Sequence, residues 1–177
     1  RVKAYAYAKV KQELQIKDLR RYAIKALLFD DYSDFTKILQ LVENRFRRSK
    51  IFISGSADEF GSWGKEKSIA FVHKLSKALS SNEYPVITGF GLGIGSAVIN
   101  GALDHIYSTN YRHMDDYLKL RPFPQYATGG KDLDKLRQDY REEMISQAGI
   151  ALFVFGNKLK SVNIVKADGM KKEFDIA

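Results

Sequence analysis

Pro85-Val86-Ile87-Thr88-Gly89-Phe90-Gly91-Leu92-Gly93-Ile94-Gly95-Ser96 is the stretch from which the rest of the chain is read. A short apolar run meets four glycines at alternate positions, and a helix-like stretch, Ala97 to Tyr107, follows. Strand, glycine loop and helix in that order bring backbone N–H groups up to a phosphate. A Cβ in such a loop would block a positive φ or the close approach of a ligand. The stretch therefore predicts an α/β fold with a site for a phosphate-bearing nucleotide.

The same rhythm runs outward from it. Upstream, Ile51-Phe52-Ile53-Ser54-Gly55-Ser56 reads as a strand ending in small residues. Lys65 to Ser80 reads as an amphipathic helix, with Ile69, Val72, Leu75 and Leu79 at helical spacing. Downstream, Leu118 to Arg121 is a third strand, stopped by Pro122 and Pro124. Asp132 to Gln147 is a helix with Leu133, Leu136, Tyr140 and Met144 on one face. Ile150 to Phe155 is continuously apolar, the pattern of a strand at the buried centre of a parallel sheet. Gly169 to Ala177 opens a further helix. Strand and helix alternate throughout, so the expected fold is α/β, a Rossmann-like doubly wound parallel sheet.

Residues 1 to 48 stand apart from this pattern. Residues 4 to 22 read as a helix with Val10, Leu14, Ile16 and Leu19 roughly on one face. Ala23 to Phe29 reads as a strand, and Ser33 or Asp34 as the cap of a second helix with Phe35, Ile38, Leu39 and Val42 inward. The basic run Arg45, Arg47, Arg48, Lys50 looks like a boundary but reads better as a solvated helix end whose cations suit the dipole. Two segments are expected, 1–48 and 50–177. Arg1 in place of methionine, and a helix still running at Asp175-Ile176-Ala177, suggest a piece of a longer protein.

Composition narrows the chemistry. The 177 residues contain no cysteine, which removes disulfides, thiolate metal sites and cysteine nucleophiles and fits a reducing cytoplasm. No apolar run reaches the roughly 18 residues of a membrane span. The formal net charge of +8 is accounted for by solubility alone, and it also suits an anionic small ligand or nucleic acid without choosing between them. His73, His105 and His113 are scattered without metal-ligand spacing, so no metal is expected. There is no P-loop signature, and the glycine string lacks the spacing of the dinucleotide fingerprint. No Ser/His/Asp set is legible, so no catalytic residue is assigned.

In doubly wound sheets ligands sit beyond the carboxyl ends of the strands. Those ends here are Ser54-Gly55-Ser56, the glycine loop from Gly89, Arg121, and Gly156-Asn157-Lys158. Arg121, held extended by the prolines after it, is placed to fork onto a phosphate or to pair with a nearby carboxylate. Arg137 and Arg141 share a helix face among Asp134, Asp139, Glu142 and Glu143, where intrahelical pairs compete; of the two, Arg141 is the candidate to reach the site. Glu173, near a helix start, suits the dipole, and beside a nucleotide it would accept hydrogen bonds from ribose hydroxyls. Lys158, Lys160 and Lys166 flank a segment that either closes over the pocket or is a solvated loop. Phe60 and Trp63 either stack on a base or pack the loop after the first strand.

Ile51 to Ala57, Thr88 to Ser96, Leu120-Arg121-Pro122-Phe123-Pro124-Gln125, Phe155 to Lys158 and Gly169-Met170-Lys171-Lys172-Glu173-Phe174 together resemble the nucleotide-sensing SLOG domain. The resemblance is to the C-terminal sensor of the NAD-hydrolysing effector of the Thoeris anti-phage system. Residues 1 to 48 resemble the last helix, strand and helix of the sirtuin-like hydrolase domain preceding it. The resemblance implies a module that is not itself catalytic. In the family it resembles, a TIR-domain partner makes a cyclic ADP-ribose isomer, the sensor binds it, a homo-oligomer (a tetramer in the parent) rearranges, and the sirtuin-like domain destroys NAD+; the resemblance implies the same here.

The implied binding positions are Gly55, Ser56, Phe90, Gly91, Leu92, Gly93, Arg121, Gly156, Asn157, Lys158 and Glu173; Gly89, Arg141 and Phe174 complete the candidate set. The catalytic histidine and asparagine of the sirtuin-like domain have no counterpart in this sequence, and the sensor's last helices are expected beyond Ala177. Two alternatives remain. Related phosphoribohydrolases carry P-G-G-x-G-T-x-x-E after a late strand, where this chain has Phe155-Gly156-Asn157-Lys158 and then a glutamate fifteen residues on. Other relatives load single-stranded DNA, which the positive charge permits.

Overall fold

The computed structural model describes every residue except 1, 23, 25, 27–30, 110–112, 128 and 131. The chain divides into two compact units, Arg1–Val42 and Glu43–Ala177. The first holds helix α1, Val2–Arg21, and the opening of helix α2, Tyr32–Arg48. The strand expected over Ala23 to Phe29 lies largely outside the described residues. Asp31, rather than Ser33 or Asp34, caps α2: its Oδ1 accepts from the backbone N–H of Ser33 at 2.6 Å and of Asp34 at 3.1 Å. The α2 face expected to point inward is largely open, with Phe35, Leu39 and Val42 exposed and Ile38 half-buried; on α1 Val10, Leu14 and Leu19 are exposed and Ile16 is half-buried.

The second unit carries a four-stranded parallel sheet in the order β3-β2-β1-β4. The strands are β1, Ile51–Ser56; β2, Val86–Thr88; β3, Leu118–Leu120; and β4, Ile150–Phe155. Helix α3, Gly64–Ser81, joins β1 to β2 after a 3-10 turn at Gly61–Trp63. Helix α4, Gly95–Tyr107, and the single turn α5, Met114–Tyr117, join β2 to β3. Helix α6, Leu133–Ser146, is capped by Asp132, whose carboxylate accepts from the N–H of Lys135. It leads across the sheet to β4, on the far side of β1. The path therefore reverses between β1 and β4, and that reversal leaves a crevice at the carboxyl ends.

Side chains alternate across β1, as a strand's period of two requires. Ile51 and Ile53 join Val72, Val86, Val98 and Ile106 in one core under α3 and α4. Phe52 joins Ile87, Met144 and Ile145 in a second core on the opposite face, with Phe153 and Ile176 packed against it. Ser54 shares the parity of Phe52, so it faces α6 and the helix after β4.

Three features depart from the pattern read in the sequence. The side of α3 sunk deepest is Ser68, Val72, Ser76 and Ser80, not a row of large apolar residues. Small side chains let α4 come close: a Cβ at Gly101 would stand 2.2 Å from the His73 carbonyl oxygen, and Ser76 Oγ donates to Val98 O at 2.6 Å. β4 is an edge strand among the described residues, not the centre. It pairs only with β1, so Ile150 and Phe155 are partly open to water. The stretch after β4 forms an antiparallel hairpin, β5 (Asn157–Lys160) and β6 (Asn163–Lys166), before helix α7, Asp168–Ile176.

Candidate functional site

A cavity of about 430 Å³ opens at the carboxyl edge beside the β1/β4 reversal. One wall is the end of β1 with the glycine loop folded back upon it. A Cβ at Gly91 would stand 1.9 Å from the Gly55 carbonyl oxygen, and one at Gly93, where φ is 81°, would stand 1.8 Å from that of Ala57. Ala57 N–H donates to Leu92 O at 3.0 Å, and Gly95 N–H to Gly91 O at 2.8 Å. Gly93 meets the positive φ that the sequence reading offered as one reason for glycine, while the close approach at Gly91 and Gly93 is of loop to strand, where that reading's other reason had a ligand. Phe90 turns the loop at a φ of 60° and lines the cavity.

The opposite wall comes from α6, α7 and the hairpin. Ser54 Oγ donates a hydrogen bond to Glu173 Oε2, and Arg141 Nε lies 3.8 Å from Glu173 Oε1. The side chains of Arg141 and Glu173 are only 11% and 9% exposed. Burial pushes the Glu173 carboxyl above its ordinary value; the Ser54 hydroxyl and the Arg141 charge pull the other way. The Arg141 guanidinium also sits 4.9 Å above the Phe123 ring, and its Nε is buried without a hydrogen-bond partner among the described residues. At the rim Lys158 pairs with Asp168, and that contact holds the Asp168 carboxyl below its ordinary value.

Of the expected positions, Gly55, Ser56, Gly89, Phe90, Gly91, Leu92, Arg141, Lys158 and Glu173 line this one cavity. Gly93 lines an adjoining one of about 350 Å³, together with Phe60 and Lys65. Four others lie outside its lining. Arg121 faces Glu143 at 3.8 Å, the carboxylate pairing its position also allowed. Asn157 is occupied in tying strand ends: its Oδ1 accepts from the N–H of Asp58 at 2.9 Å and of Glu59 at 3.0 Å. Gly156 continues the backbone ladder, donating to Ser56 O at 2.9 Å. Phe174 packs edge-on against Phe153 with ring centroids 5.2 Å apart.

Arg137 donates to Pro124 O rather than to a helix neighbour, and Trp63 packs against Phe71. The lining residues outside the candidate set are Ile53, Ser54, Phe123, Gln125, Ala167, Asp168, Gly169 and Met170. Ser54 belongs to the first strand end read in the sequence, and its parity with Phe52 marks the face it takes; for the last four, the signal was the helix start that Glu173 already marked.

Chemically the lining offers two cations, two carboxylates and two aromatic rings around a space suited to a nucleotide-sized molecule. Among the described residues no histidine lines it, and no group of three or more His, Asp or Glu stands close enough to hold a metal. Among the same residues no helix is long and apolar enough to cross a membrane.

A family model, the Sir2- and TIR-associating SLOG family, matches residues 34–177. The chain belongs to this family. Its SLOG fold is the parallel sheet just described, with the family match covering all of it. Over 98% of its length the chain is also similar to proteins named NAD(+) hydrolase ThsA: 51% identical to that of Cytobacillus dafuensis, 42% to that of Bacillus cereus (strain MSX-D12) and 42% to that of Acinetobacter baumannii (strain 532279). The matches cover 35%, 36% and 37% of those relatives, so the chain spans about a third of their length.

Proposed function

We propose that this SLOG domain is the ligand sensor of a Thoeris-type NAD+ hydrolase. It binds a cyclic ADP-ribose isomer at the carboxyl edge of the sheet, and binding activates NAD+ destruction by an attached sirtuin-like domain. The observation that carries the reading is the single cavity into which Arg141, Lys158 and Glu173 converge from three separate elements. Two cations suit the two phosphates of such a molecule, and a buried carboxylate suits its ribose hydroxyls. The relatives' name, NAD(+) hydrolase, supports NAD+ as the substrate of the parent protein. The same reading includes a TIR-domain enzyme as the source of the messenger, a homo-oligomeric effector and a cytoplasmic setting. The messenger must favour the active arrangement over the resting one, or it shifts nothing.

The test is a thermal-shift panel of cyclic ADP-ribose isomers, linear ADP-ribose, NAD+ and AMP. At about 100 times Kd a bound ligand adds roughly 2.7 kcal/mol, or about 5–10 °C for a domain of this size. A cyclic isomer is expected to give the largest shift. No shift from any nucleotide overturns the reading. Release of free adenine from AMP would replace it with phosphoribohydrolase chemistry. Tight DNA binding with a steep salt dependence would replace it with nucleic-acid binding.

A further inference from the structure

Both cations lining the cavity already face a carboxylate of the chain. Arg141 faces Glu173, and Lys158 pairs with Asp168. The formal charge of these four side chains sums to zero, which is an unexpected balance for a site that takes a phosphorylated ligand. The two pairs differ in kind. Arg141 and Glu173 are buried against one another. Asp168 is 73% exposed on the first turn of α7, while its partner Lys158 comes from the hairpin and is 32% exposed. Both line the cavity, so the pair stands where a ligand's anionic group would meet the lysine. A phosphate oxygen and the Asp168 oxygen would compete for one ammonium group.

We propose that Asp168 is an internal competitor for Lys158. A ligand gains the lysine only by displacing this carboxylate, and Asp168 thereby sets the affinity for phosphorylated ligands. The inference rests on the reading of the cavity as an anionic-nucleotide site and adds a residue that opposes binding. A solvent-open pair is weak, so displacement is within reach of a phosphate but not of a neutral hydroxyl. On displacement, the freed carboxylate would still repel the phosphate until it swings into water, which its exposure permits.

The experiment is calorimetric titration with cyclic ADP-ribose, and separately with inorganic pyrophosphate. The proteins are the native chain, Asp168→Asn, Lys158→Gln and the double variant. Asp168→Asn is expected to bind both probes about three- to tenfold more tightly at low salt, the gain shrinking as ionic strength rises. In the Lys158→Gln background the same substitution is expected to gain less than about twofold, because there is no lysine left to free. Asp168→Ser, which also suits a helix start, repeats the measurement should Asp168→Asn fold poorly.

Equal or weaker binding by Asp168→Asn, or an equal gain with and without Lys158, overturns the inference while leaving the cavity reading in place. Binding of neither probe to native or variant protein removes the cavity reading and this inference with it.

Discussion

Replacing Arg141 by methionine keeps an unbranched side chain against Phe123 but withdraws the charge from beside Glu173. At 3.8 Å two unit charges attract by about 4 kcal/mol at an effective dielectric of 20, which bounds the loss from above. Two effects reduce it. Glu173 can take a proton, because burial already raises its pKa, and the Ser54 hydroxyl stays within reach. A net cost of about 1–2 kcal/mol at pH 8 is expected, or roughly 3–6 °C in Tm.

The pH dependence is the sharper part. Burial raises the folded pKa of Glu173 above its ordinary 4.5, so the stability it contributes is complete below the unfolded pKa and is lost as pH rises through the folded one. Arg141 opposes that rise, so its removal lifts the folded pKa further and widens the window of loss. Thermal unfolding of native protein and Arg141→Met should therefore differ most at pH 8 and converge toward pH 4.5. A penalty that does not change over that range would refute the coupling. So would additive effects of Arg141→Met and Glu173→Gln, since two groups in one buried pair must couple.

Glu173→Gln alone should lower ligand-free stability at pH 8 by about 1–3 kcal/mol, since the amide oxygen still accepts from Ser54 but the buried Arg141 guanidinium loses its counter-charge, while weakening nucleotide binding by about tenfold on losing a charged acceptor; titration and melting curves on the same variant check both. Gly91→Ala should cost about 2–4 kcal/mol in denaturant unfolding, because its Cβ would stand 1.9 Å from the Gly55 carbonyl oxygen and neither backbone can yield cheaply. Arg121→Ala should change nucleotide affinity by less than about threefold and stability by less than about 1 kcal/mol, as befits a half-exposed pair at 3.8 Å; a loss of tenfold or more would return Arg121 to the binding wall.

Much of this protein is written locally. Apolar runs of strand length, helical spacing between them and a glycine loop after Thr88 determined an alternating α/β chain, its element order and the edge at which a ligand would sit, because each depends on residues a few positions apart. The hairpin after β4 escaped because its turn, at Ser161 with φ 60°, uses none of the glycine or asparagine that marks such turns.

Contacts between distant segments were a different matter. That Arg141 leaves its own helix neighbours for Glu173, that Arg121 does not line the cavity, and that Lys158 finds Asp168 all depend on where α6 and α7 cross the sheet. Those crossings follow from the strand order, which places β4 beyond β1 and brings both helices onto the Phe52 and Ser54 face. Periodicity reports which side of an element is buried; only the packed sheet reports what meets it there.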